Sequence, residues 1–155
     1  MFMKPARCVL LLSVGTILAL GAIKPATAQV AVCEPIDHYQ VKELIHRWNM
    51  ALQSGDAGAA ADEYRENAIL LATYRAEPLF TRQQKLDYFS EFLGKGPQMY
   101  VDSEWSDIDC NTVISGGLYT FHMADGHVAK ARYLLAFRFD GGRWRISGHH
   151  SSLVP

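Results

Sequence analysis

The 155 residues carry 15 Lys+Arg against 16 Asp+Glu, with 49% hydrophobic residues, a balance that supports one packed core and offers no basic face for nucleic acid. No block of like charge, low-complexity tract or internal repeat appears, which excludes a charged interaction tail and a solenoid.

The chain begins with Lys4 and Arg7, continues as an apolar run from Cys8 to Ile23 and reaches Ala26-Thr27-Ala28. This order of basic, apolar and small-residue segments predicts a secretory signal over 1–28. The run falls short of the roughly 20 residues of a membrane-spanning helix, and Lys24 and Pro25 close it. Cleavage leaves 127 residues, 29–155, expected to form one domain in the periplasm or outside the cell. With Lys4, Arg7 and Lys24 removed, 12 Lys+Arg face 16 Asp+Glu, a formal charge of −4. Two cysteines remain, Cys33 and Cys110. In an exported chain an even pair is expected to bridge, and closing a loop of roughly 75 residues contributes ~3–5 kcal/mol in the loop-entropy model. Neither cysteine has a second ligand at zinc spacing, so no metal is expected.

Val41, Leu44, Ile45, Trp48 and Leu52 recur at helical spacing and predict a helix of four to five turns, capped by Asp37 and ended by Gly55. Asp56 caps a shorter alanine-rich helix reaching about Tyr64. Ala68 to Thr73 reads as a strand, and Tyr74 to Phe80 as a loop containing Pro78. Thr81 and Gln84 form a capping box before Leu86, Phe89 and Leu93, a further helix stopped at Gly94. From Met99 the period becomes two. Strands are predicted at 99–109, 112–123, 128–139 and 143–152, joined by short turns into an antiparallel meander, with a bulge or bend at Gly116-Gly117.

Strict alternation along the last strand places Trp144, Ile146, Gly148 and His150 on one side and Arg145, Ser147, His149 and Ser151 on the other. On the strand before it, Arg132, Leu134, Ala136 and Arg138 oppose Tyr133, Leu135, Phe137 and Phe139. Adjacent histidines on a strand point apart and cannot hold one metal ion between them. Aromatic residues on both sides of the sheet predict self-association through the side that one helix layer leaves bare.

The segments Tyr88-Phe89-x-x-Phe92-Leu93, Gly117-Leu118-Tyr119-Thr120-Phe121, Ala131-Arg132-Tyr133 and Trp144-x-Ile146-x-x-His149-His150-Ser151-Ser152-x-x-Pro155 resemble the bacterial branch of the calcium/calmodulin-dependent protein kinase II association-domain family. That family lies within the nuclear transport factor 2-like superfamily, which also holds SnoaL-type cyclases, ketosteroid isomerases and scytalone dehydratases. The resemblance implies an α+β fold, a cone-shaped curved antiparallel sheet packed on a long N-terminal helix, with a pocket between them. It also implies association through the outer face of the sheet as a homodimer or small ring. It implies no kinase activity and no cofactor.

If Arg132 faces the cone interior, as the resemblance suggests, its guanidinium needs an anionic partner. Glu63, Glu66, Glu77 or Glu104 could supply an internal pair, or a small carboxylate could bind as ligand. His150 by parity, with Tyr119 or Tyr74 beside it and Trp48 and Leu44 as apolar walls, completes the expected pocket. Two functions follow. One is an exported, non-catalytic, self-associating protein that holds a small, anionic molecule. The other is a SnoaL-like enzyme of isomerase, dehydratase or cyclase type that uses the same pocket. A hydrolase triad and a phosphate-cradling glycine loop have no support.

Overall fold

The computed structural model describes residues Val32–Pro155, and the predicted signal lies outside them. The first helix, α1 (His38–Gln53), begins where expected. Asp37 accepts from the backbone of Gln40, and the Gln40 side chain returns to the Asp37 backbone. This reciprocal capping box satisfies donors that the first turn would otherwise leave open. The five residues of the apolar stripe are all buried, and Gly55 takes the left-handed conformation just past the C-cap at φ 72°, as glycine does where a helix must stop. The short α2 (Ala57–Asp62) is capped by Asp56. The third helix, α3 (Arg82–Leu93), opens on the predicted Thr81–Gln84 capping box and buries Phe89, Phe92 and Leu93.

Five strands form one curved sheet: β1 (Tyr64–Leu71), β2 (Gln98–Asp109), β3 (Thr112–His122), β4 (Val128–Phe139) and β5 (Trp144–Leu153), in the order β1-β5-β4-β3-β2. The last four make the predicted antiparallel meander. β1 adds a feature that alternation did not supply, because it pairs in parallel with β5. It also starts at Tyr64 rather than Ala68. The polar stretch Arg65-Glu66-Asn67 carries no strand signal, yet the Ile146 amide donates to the Glu63 carbonyl at 2.9 Å and fixes the entry of the strand.

Two irregularities bend the meander, besides a register shift between Tyr64 and Ile69 in β1. Asp102 is an extra residue in β2, since Val101 pairs with Tyr119 while Ser103 pairs with Leu118. Opposite it, a Cβ built on Gly117 would stand 2.0 Å from the Ser103 carbonyl oxygen, so only glycine allows this approach. The second is Ser147 in β5: Ala136 pairs with Gly148 and Phe137 with Ile146, leaving Ser147 unpaired as a bulge. The concave face carries Tyr119, Phe121, Tyr133, Leu135, Phe137 and Ile146, all buried. This corrects the view that Tyr133 and Phe137 make the bare side of the sheet.

Cys33 and Cys110 are bonded and tie the segment before α1 to the β2–β3 turn. Beside them the Asn111 amide donates to the Val32 carbonyl at 2.8 Å and accepts from the Glu34 backbone at 2.7 Å.

Thiol labelling of denatured, unreduced protein should find neither Cys33 nor Cys110 free, and reduction should lower the unfolding free energy in urea by about 3–5 kcal/mol. Gly117→Ala should destabilise the protein by about 3 kcal/mol, because the obstructing atom is backbone and cannot step aside.

Candidate functional site

The concave face, α1 and α3 enclose an aromatic cavity. Trp48 comes from α1, Tyr88, Phe89 and Phe92 from α3, Tyr119 and Phe121 from β3, and His149 and Ser151 from β5, while Tyr64 and the 72–74 segment close the β1 side. None of the lining residues is Asp, Glu, Lys or Arg. The free space is about 30 Å³, room for a water molecule or two. An organic guest therefore enters only if the wall parts. Tyr74 stands at the rim, half exposed.

Polar groups in the wall are paired in two sets. The Tyr64 hydroxyl lies 2.8 Å from His149 Nδ1. The Tyr119 hydroxyl donates to Ser151 Oγ at 2.5 Å, and Thr73 Oγ1 lies 2.5 Å from the same oxygen. His149 is 6% exposed. Burial, with a smaller contribution from neighbouring His150, pushes its imidazole down to about 3, so it is neutral at physiological pH. Burial also holds the phenols of Tyr64 and Tyr119 above their ordinary range and raises Tyr88 to about 12. Nδ1 of His149 is the one acceptor that Tyr64 meets, so the arrangement that satisfies the phenol proton has Tyr64 donating to it. The imidazole proton then resides on Nε2. That Nε2 and the indole Nε1 of Trp48 are both buried without a hydrogen-bond partner among the described residues, two donors held in the wall.

Of the residues expected in the pocket, Trp48, Tyr119 and Tyr74 line it. Arg132 and His150 do not. Arg132 is exposed on the convex face, where its Nε donates to Ser152 Oγ at 3.0 Å. Tyr133 takes the concave side because the core claims the more apolar half of β4. His150 is exposed because the Ser147 bulge reverses the alternation of β5 beyond it and brings His149 inward instead. A partly buried ion pair forms elsewhere: Arg47 Nε meets Glu63 at 2.7 Å, and its Nη2 donates to the Trp144 carbonyl at 2.7 Å. Sequence reading also missed Tyr64, which sits before the predicted strand, and the Thr73–Ser151 contact, which depends on the parallel β1–β5 pairing.

A buried neutral histidine makes stability depend on pH. The folded pKa of His149 lies below the unfolded one, so the unfolded chain binds more protons between about pH 6.5 and 3. Its contribution is complete above pH 6.5 and is lost as the pH falls toward 3. Urea denaturation should therefore show wild-type stability declining by up to about 1.4 kcal/mol per pH unit in that window. His149→Phe should flatten that slope.

No family model matches the sequence, and no curated protein matches it. Among solved structures, a candidate calcium/calmodulin-dependent protein kinase II association domain from Xanthomonas campestris aligns with a TM-score of 0.72 and 28% identity, covering 83% of this chain and 99% of that one. A nuclear transport factor 2-like protein of unknown function from Pseudomonas putida aligns at 0.65 and 16% identity, over 74% of this chain and 84% of that one. A candidate dehydratase of the same family from Streptomyces avermitilis aligns at 0.68 and 14% identity, over 76% and 95%. The chain has the nuclear transport factor 2-like fold, and its structural neighbours include bacterial proteins of the calcium/calmodulin-dependent protein kinase II association-domain type.

Proposed function

We propose that the protein is exported, associates with copies of itself through the convex face of its sheet, and holds a small molecule in the cone without transforming it. The convex face carries this reading. Register lines up Trp105, Gly116, Leu134, His150 and Leu71 in one row across all five strands, with Asp107, Ile114, Ala136, Gly148 and Ile69 in the next. Trp105 is 69% exposed and Leu134 50%, with Ile69, Leu71 and Ile114 also exposed. An apolar band of this kind, spread over a sheet face that no helix among the described residues covers, is surface that a second copy would bury. The Cys33–Cys110 bond supports an oxidising compartment.

The guest we propose is neutral rather than a carboxylate. The cavity wall holds no cation, and a charged guest would be desolvated there without a partner. Two unpaired donors, His149 Nε2 and Trp48 Nε1, fit a molecule with a hydrogen-bond acceptor on a small apolar or aromatic body. A histidine whose pKa is near 3 is also a poor general base at neutral pH, which favours binding over catalysis. The buried Tyr64–His149 pair supports the second reading, a cofactor-free isomerase, dehydratase or cyclase in which the pair orients a substrate carbonyl.

Light scattering at micromolar concentration should report more mass than one chain, and Trp105→Glu with Leu134→Glu should give a folded monomer. A wild type that stays monomeric at high concentration rejects the association. Native mass spectrometry of protein purified from extract should show a bound neutral molecule that His149→Phe loses. Recovery of that molecule chemically altered after incubation with the wild type, but not with the variant, would favour the enzyme.

A further inference from the structure

A second concave site lies outside the cone, and the geometry points to it as a receptor for a phosphate-type oxyanion. It opens where β1 and β5 begin side by side, between the end of α2 and the first turns of α3. Arg65, Arg82, Lys85, Arg143 and Arg145 line it against only Asp62 and Glu66. Arg138 and Asp140 stand at the adjoining lip, so the excess of positive charge persists when the lip is included.

The carboxylates present offset only two of these cations, Arg82 and Arg145. Asp62 is taken by Arg82, through Nη2 at 2.7 Å and Nε at 3.1 Å. Arg143 donates to the Asp62 carbonyl and not to a carboxylate. Asp140 approaches Arg145 Nε at 3.5 Å, yet that nitrogen is buried and has no hydrogen-bond partner. Arg65 makes no hydrogen bond or ion pair among the described residues. Arg138 and Arg145 face each other across β4 and β5, an opposition of like charges against which the single carboxylate of Asp140 stands. In the same lining Lys85 is 1% exposed, and among the described residues its ammonium donates only to the carbonyls of Phe80 and Thr81, at 2.7 and 3.5 Å.

Donors in this cleft come from α3, from the head of β1 and from the β4–β5 hairpin, so they approach from different directions. A carboxylate offers acceptors in one plane, whereas a tetrahedral phosphate accepts from several sides and carries enough charge to offset the surplus. Tyr64 stands in the wall of both this cleft and the cone, with its hydroxyl committed to His149. The two sites are therefore chemically separate, and neither proposal depends on the other.

Titration of inorganic phosphate into the protein at constant ionic strength, followed by backbone amide resonances, should give saturable shifts around residues 62–66, 82–85 and 143–146. Arg65→Gln with Arg143→Gln should weaken this binding roughly tenfold or more, while Arg132→Gln on the convex face should leave it unchanged. Arg65→Gln alone also weakens it, and this variant removes no bond from the fold. Sedimentation with phosphatidylglycerol vesicles, against phosphatidylcholine controls, separates the sources. Capture of the wild type but not the double variant assigns the phosphate to a lipid headgroup, and phosphate binding without capture assigns it to a free ion or phosphoester. Shifts that never saturate, that chloride reproduces, or that the double variant retains would overturn the proposal.

Discussion

One extra residue in the last strand decides what the interior of the cone contains. Without the bulge at Ser147, alternation would place either Trp144 and Ile146 or His149 and Ser151 on the concave side, but not both pairs. With it, β5 supplies large apolar groups near the hairpin and polar groups further along, and the Tyr64–His149 and Tyr119–Ser151 bonds become possible. β5 also lies between β1 and β4, so an error in its alternation would disturb two ladders at once. The irregularity is thus a condition of the architecture.

Charge is sorted with the same economy. The cavity is lined by aromatic rings, small residues and neutral polar groups, and burial keeps its ionisable members uncharged. Guanidinium groups lie mostly on the convex face and at the β1–β5 end. Arg75, which pairs with Glu91 over the Tyr88 ring, and Arg47 are exceptions, and Arg47 is the useful one. It spans from α1 to Glu63 and to the Trp144 carbonyl, and so anchors the helix to the sheet.

Much of the fold was legible because its signals are local. Asp37 with Gln40 and Thr81 with Gln84 announce helix starts within four residues, and the four-strand meander follows from short turns. The disulfide followed from counting. The site was harder to read. Whether His149 or His150 enters the cone depends on a bulge that shows only in the pairing of Ala136 with Gly148 and of Phe137 with Ile146, a relation between strands that no window along one strand contains. Arg132 was placed inside by resemblance, but the competition between its side of β4 and that of Tyr133, Leu135 and Phe137 is settled by burial. β1 illustrates the same limit: its parallel partner is separated from it by α3 and the whole meander.

The bonds of Asn111 give the cystine a second property. Asn111 adopts φ 56°, a left-handed conformation that asparagine tolerates in a tight turn. From that turn its amide pairs with the Val32 carbonyl and the Glu34 amide, the backbone groups flanking Cys33, much as one rung of a sheet would. The side chain thus holds the tail against Cys110 without using sulfur. A reduced molecule keeps its two thiols as neighbours, at an effective concentration set by a docked segment rather than by a free chain end. Once an external oxidant takes up the two electrons, the bond would then re-form by closure within one chain.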